Sequence, residues 1–175
     1  MDRYINILLL PLLLLAATSA AAERSYAVSP TLGYASITNI DGYKDAANIR
    51  IEGSFYPIPQ FAANLFVVSY TGFESSGGGN GVTINVNGYG TGVTGRWPVH
   101  PHVQPYARLD YMLWNVEATG LGRTLAKDQG GSAGFALGMQ FPIKSLYGIK
   151  AELSGYNNIS GADIRQFSVG ATFEF

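Results

Sequence analysis

Phe167-Ser168-Val169-Gly170-Ala171-Thr172-Phe173-Glu174-Phe175 closes the sequence. Apolar side chains alternate with small or polar ones throughout, and a two-residue period puts every apolar side chain on one face of a β-strand. Chain ends of water-soluble domains fray into solvent, where a strand stopping on an aromatic gains nothing. In a barrel standing in lipid, an apolar outer face at the end of the chain is useful.

The amino end supports export. Arg3 precedes an apolar stretch from Ile5 to Leu15, followed by Ala16-Ala17-Thr18-Ser19-Ala20-Ala21-Ala22 before charge returns at Glu23-Arg24. This is the order of a secretory signal peptide, and an Ala-x-Ala pattern predicts cleavage after Ala22. The apolar core falls short of the roughly 20 residues that a spanning helix needs, and Pro11 interrupts it. The expected division is a signal peptide over 1–22 and one barrel domain over 23–175. The chain has no cysteine, so neither a lipid-anchored N-terminus nor a disulfide framework is available.

Charged residues make up 13% of the chain, below the roughly 25% of ordinary soluble domains. A formal net charge of -1 leaves no basic surplus for nucleic acid. No stretch after Ala22 is long and apolar enough for a membrane helix, so contact with lipid has to come from strands.

Eight strand-like segments follow, the clearest over 47–56, 104–115, 133–141, 147–156 and 164–175; those over 26–37, 61–73 and 82–97 complete the set. Ile49, Ile51, Gly53 and Phe55 share a face opposite Arg50, Glu52 and Ser54. Ala107, Leu109, Tyr111 and Leu113 oppose Arg108 and Asp110, and Ile149, Ala151 and Leu153 oppose Lys150 and Glu152. Three strands thus carry an opposite-charge pair two residues apart on their polar face. The faces of the third and fourth segments cannot be assigned from their pattern, because both of their rows carry apolar residues.

Short proline-bearing connections, 57–60, 98–102 and 142–145, alternate with longer polar or glycine-rich ones, 38–46, 74–81, 117–132 and 157–163. Short turns on one rim and long loops on the other fit a transmembrane barrel with short periplasmic turns. A soluble ligand-binding barrel would turn the same faces inside out. Two features favour the lipid-facing version: aromatics near strand ends, at Tyr26, Phe55, Phe135, Phe141, Tyr147, Phe167 and Phe175, resemble interfacial girdles. The polar faces are also rich in Gly, Ser and Thr, which fits a crowded interior. The expected fold is an all-β, eight-stranded antiparallel up-and-down transmembrane β-barrel.

The signal peptide, eight short strands, Pro-bearing turns, the Pro105-Tyr106-Ala107-Arg108-Leu109-Asp110-Tyr111 segment and the Phe-terminated strand resemble the small outer-membrane barrel superfamily. That superfamily includes the OmpA transmembrane domain, OmpX and the opacity-type surface proteins. The resemblance covers essentially the whole mature chain and implies residence in the outer membrane of a Gram-negative bacterium, among outer-membrane lipid and lipopolysaccharide. It also implies that Phe175, with Phe173, belongs to the signal read by the barrel-assembly machinery. No peptidoglycan-binding domain is expected after Phe175, unlike full-length OmpA.

An interior of eight strands is only wide enough for side chains to fill, and unpaired charges there are costly. Arg50, Glu52, Arg108, Asp110, Lys150, Glu152 and Glu174 are therefore expected to form a neutralising lumen network. Catalytic, metal and cofactor sites are not expected. His100 and His102 are the only histidines, fall in a short turn without a nearby carboxylate, and make a poor metal or acid/base pair. Some related barrels modify lipid A, but these histidines are expected at the rim opposite that substrate. Gly90-Thr91-Gly92-Val93-Thr94-Gly95 matches a dinucleotide-binding string but no helix follows, so the glycines read as close-packing positions. Asn158-Ile159-Ser160 fits a glycosylation sequon, an accident in a bacterial setting. The long links carry mixed charge, including Asp41, Lys44, Asp45, Glu117, Arg123, Lys127 and Asp128, and no basic cluster. A structural or surface-interaction barrel is the expected function, with a narrow channel or small-ligand carrier as the alternative; no surface ligand is named by the sequence.

Overall fold

A computed structural model describes residues 25–75, 81–144 and 146–175. The expected leader and the Gly77-Gly78-Gly79 tip lie outside the described residues. Eight strands follow in order: β1 (Ser25–Ile37), β2 (Ala46–Ile58), β3 (Phe61–Glu74), β4 (Thr83–Arg96), β5 (Gln104–Gly120), β6 (Arg123–Lys144), β7 (Tyr147–Ile159) and β8 (Ala162–Glu174). Each pairs antiparallel with its sequence neighbour, and β8 returns to β1, so the sheet closes into a barrel. At the seam Leu32 lies opposite both Ile49 of β2 and Val169 of β8.

The two-residue period sorts the side chains. Leu32, Ile51, Leu65, Leu109 and Leu153 are exposed on the outer wall at 48–67%, whereas Arg50, Glu52, Arg108, Asp110, Lys150 and Glu152 are all buried inside. This inversion of the soluble pattern is what lipid outside and a packed lumen inside require. The aromatics near strand ends stand on the outer wall, with Phe55 half-buried.

The strands the sequence left unassigned now have faces. On β3, Phe66, Val68, Tyr70 and Phe73 turn inward. On β4, Val86, Thr94 and the glycines at 88, 90 and 92 face in, while Tyr89 and Val93 face out. A Cβ on Gly88, Gly90 or Gly92 would run into Met112, Phe66 or Asp110, respectively. On β6, the same holds for Gly130, Gly134 and Gly138 against Trp114, Tyr156 and Tyr106. β4 and β6 thus line the lumen with bare lanes over which bulky side chains from neighbouring strands lie. The glycine-rich string is part of this packing.

Two expected loops are strands instead. The links placed at 117–132 and 157–163 shrink to the two-residue turns Leu121-Gly122 and Ser160-Gly161, each with positive φ at both residues, as tight hairpin turns require. β6 pairs with β5 up to Gly120↔Arg123 but with β7 only from Gly134↔Tyr156, so this part of β6 extends past β7, while β5 stays paired with β4 up to Thr83↔Thr119. Lipid no longer selects one apolar face there, and the alternation that marks the barrel strands fades.

Candidate functional site

The lumen fills in three layers. Its middle layer holds three cations and three carboxylates from β2, β5 and β7, strands that do not adjoin in the sheet and meet only across the interior. Arg108 is 1% exposed. Its Nη2 donates to Glu152 Oε1 at 2.8 Å, its Nε to Asp110 Oδ2 at 2.9 Å, and its Nη1 lies 3.0 Å from Glu52 Oε2. Arg50 Nη2 lies 2.8 Å from Glu52 Oε2 and 3.2 Å from Asp110 Oδ2, with its guanidinium over the Phe66 ring at 3.6 Å. Lys150 Nζ donates to Glu52 Oε1 at 3.2 Å.

Tyrosines and amides complete the layer. Tyr156 Oη accepts from Arg50 Nη1 at 2.7 Å and donates to Asp110 Oδ2 at 2.9 Å, while Tyr106 Oη donates to Glu152 Oε2 at 2.8 Å. From Glu152 a chain runs through Ser154 and Gln166 to Asn48. Burying a charge costs several kcal/mol unless partners replace its water. Here every one of the six has at least two charged or hydrogen-bonding partners.

Glu174 is not part of this group. It lies nearer the rim that carries the termini, where its Oε1 accepts from Arg96 Nη1 at 2.7 Å and Gln140 Nε2 at 2.9 Å, with the Arg96 guanidinium over the Tyr56 ring. Removing Glu174 balances the middle layer at three against three. The expected surplus carboxylate has its own cation, Arg96, on the strand whose faces could not be read. Between these layers a space of about 10 Å³ is lined by Ser29, Glu52, Tyr56, Thr94, Arg96, Tyr106, Gln140 and Lys150, room for about one water.

Towards the opposite rim the lumen is apolar. Ala35, Phe66, Val68, Tyr70, Phe73, Val86, Met112, Trp114, Tyr156, Ile159 and Ile164 form one buried cluster, with Tyr43 of the β1–β2 connection packed against it. Sequence reading missed this plug because β3 is apolar on both rows; the inward aromatics of β5 and β7, Trp114 and Tyr156, were the available signal.

The remaining candidates stand apart. His100 and His102 face each other in an exposed turn with ring centroids 5.6 Å apart, and no group of three metal-ligating side chains occurs among the described residues. A groove of about 380 Å³, lined by Ile51, Leu65, Val67, Tyr89, Tyr111 and Leu113 among others, lies on the outer wall. Phe173 and Phe175 also face outward. On the rim away from the termini, Asp41, Asp45, Glu74, Glu117, Asp128 and Asp163 outnumber Lys44, Arg123, Lys127 and Arg165. There the Glu117 carboxyl is held below its usual range by the hydrogen bond from Thr124 and by the nearby Lys127 ammonium.

The barrel has the architecture of several solved outer-membrane proteins. Ail, the attachment invasion locus protein of Yersinia pestis, in complex with the heparin analogue sucrose octasulfate, matches with a TM-score of 0.65 at 16% identity, over 87% of this chain and 99% of Ail. Neisserial surface protein A matches with a TM-score of 0.68 at 13% identity, over 87% and 97%. The N-terminal barrel of Pseudomonas aeruginosa OprF matches with a TM-score of 0.64 at 12% identity, over 85% and 97%. A comparison with curated protein sequences finds no match. The model of the outer membrane protein beta-barrel domain matches residues 7–175. With eight closed strands, an apolar outer wall and a match over nearly the whole chain, the protein belongs to the outer membrane protein beta-barrel domain family and resides in the outer membrane.

Proposed function

We propose that this protein is a closed, non-enzymatic outer-membrane barrel that acts through its extracellular rim, in a structural or surface-interaction role. The observation that carries the reading is the filled lumen: a charge-balanced layer anchored by Arg108, an apolar plug on its extracellular side and the Arg96–Glu174 pair on its periplasmic side. A conducting path would have to cross all three. The space of about 10 Å³ is too small for a carried ligand, and the larger groove faces lipid.

Lipid A chemistry finds no base. Both histidines of the chain sit in the 97–103 connection, on the rim with the termini, which is the periplasmic one in this family of barrels. The partners of this reading are outer-membrane lipid and lipopolysaccharide around the wall, and the barrel-assembly machinery through Phe173 and Phe175. The polyanion bound by Ail is not carried over, because carboxylates outnumber cations on this chain's extracellular rim. Planar-bilayer recording of the purified barrel tests the proposal. No steady conductance is expected, and a stable open level would overturn it in favour of a narrow channel.

A further inference from the structure

The groove of about 380 Å³ on the outer wall is built by two rows of outward side chains that run across β2, β3, β4 and β5. In the upper row Ile51 lies opposite Val67, Val67 opposite Tyr89 and Tyr89 opposite Leu113. Two residues nearer the periplasmic rim, Leu65 lies opposite Thr91 and Thr91 opposite Tyr111. Between the rows only the main chain of Phe66 and Gly90 is left as a floor, because both residues turn inward. Thr91, short between Leu65 and Tyr111, deepens the gap. The volume is that of a small-ligand site, and the lining is apolar except for the hydroxyls of Thr91, Tyr89 and Tyr111.

The depth of the groove follows from its strands. Ile51 is four residues from Phe55, and Tyr89 eight from Trp97, the outward aromatics at the periplasmic ends of β2 and β4. At about 3.3 Å per residue and a strand tilt of about 40°, the groove spans roughly 10 to 20 Å above the periplasmic girdle of an apolar band about 25 Å tall. It therefore rises from the middle of the bilayer to the interface of the outer leaflet. The tyrosines stand at its upper end, and Tyr111 leans further up, with its hydroxyl over the bare Gly131 opposite Leu113. At that depth a tyrosine hydroxyl meets the polar ends of lipids.

Width decides what enters. The rows are two residues, about 6.6 Å, apart, too close for a partner's helix of about 10 to 12 Å across. A second barrel would bring one convex wall against another, a narrow strip of contact where a stable interface needs about 1,000 Å². A single hydrocarbon chain, with contacts at about 4 Å on either side, fits between the rows. From these features we propose that the groove holds one acyl chain of an outer-leaflet lipid A, its tail at Ile51 and its head end between Tyr89 and Tyr111. The tyrosine hydroxyls there donate to the oxygens where the chain joins its headgroup. The inference deepens the reading that lipopolysaccharide surrounds the wall, rests on it, and names the place where that lipid is held.

The test titrates the full barrel in detergent micelles with hexa-acylated lipid A, or with phosphatidylethanolamine, and counts bound lipid by native mass spectrometry. One lipid A per barrel is expected at concentrations where phosphatidylethanolamine does not bind. Thr91→Trp fills the groove and should weaken lipid A binding at least tenfold. Ala151→Trp, on the outward row of β7, should leave it unchanged. An unchanged heat-dependent gel shift shows that both variants fold. Tyr89→Phe combined with Tyr111→Phe, which keeps the shape of the wall, should weaken binding about fivefold, the loss of a hydrogen bond. Equal affinity of the parent and Thr91→Trp overturns the site, as does phosphatidylethanolamine binding as tightly as lipid A. A dimer that disappears in Thr91→Trp also overturns it and assigns the groove to a second copy. None of these results touches the closed-lumen proposal, which fails only on conductance.

Discussion

Tyr26 and Phe175 exchange both backbone hydrogen bonds at 2.9 Å, and their rings lie 6.4 Å apart, stacked at 20°. The last residue of the sequence thereby continues the β8–β1 seam that closes the barrel. The two rings lie on the outer wall at the periplasmic rim, beside Phe55, whose ring centroid is 5.2 Å from that of Tyr26.

Changing Phe175 should therefore separate assembly from stability. Phe175→Asp leaves the backbone pair available but removes the ring, and deletion removes both. Outer-membrane levels of folded protein should fall for the substitution and further for the deletion, while refolding in detergent persists. Normal levels of both variants, measured by heat-modifiable migration of membrane fractions, would refute an assembly role for Phe175.

Charge on the lipid face should be costly in proportion to depth. Val169 is exposed on the outer wall of β8, so Val169→Arg should destabilise by about 2 to 4 kcal/mol if it lies near the midplane. Arg at Phe175, beside the interface, should cost about 1 kcal/mol or less. Urea titration in lipid vesicles reads the difference, and equal costs would count against the placement of this wall in lipid.

Arg108→Ala removes a cation shared by Glu52, Asp110 and Glu152 and leaves two buried cations against three carboxylates in the lumen. Breaking a buried pair in this way typically costs about 3 to 5 kcal/mol, and the same variant should leak in planar bilayers. Lys127→Ala, at an exposed pair, should cost at most about 1 kcal/mol. An Arg108→Ala barrel as stable and as tight as the parent would remove the network from the sealing mechanism.

The bare lanes predict a contrast among glycines. Gly90→Ala pushes a methyl group into the Tyr111 carbonyl and Phe66, and such overpacking costs typically about 1 to 3 kcal/mol. Gly53→Ala meets nothing within 4 Å and should be tolerated. Unfolding midpoints of the two variants in detergent check the pair.

The sequence by itself determined the class of this protein. Alternation over two residues is a local property, and it marks the inner and outer rows of β2, β5, β7 and β8 as surely in the sequence as in the barrel. It also placed the six central charges on inward rows. Their partners across the lumen were beyond its reach, because Arg108 meets Glu152 and Arg50 meets Asp110 between strands that are not neighbours. The same is true of Glu174, whose cation lies on β4. On β3 and β4 the period carried no sign: Leu65 and Val67 alternate with Phe66 and Val68, and only closure of the sheet decided which row faces lipid. Above the membrane no solvent difference separates the two faces, so the β5–β6 hairpin read as a loop, and only its backbone pairing, a tertiary fact, made it a strand.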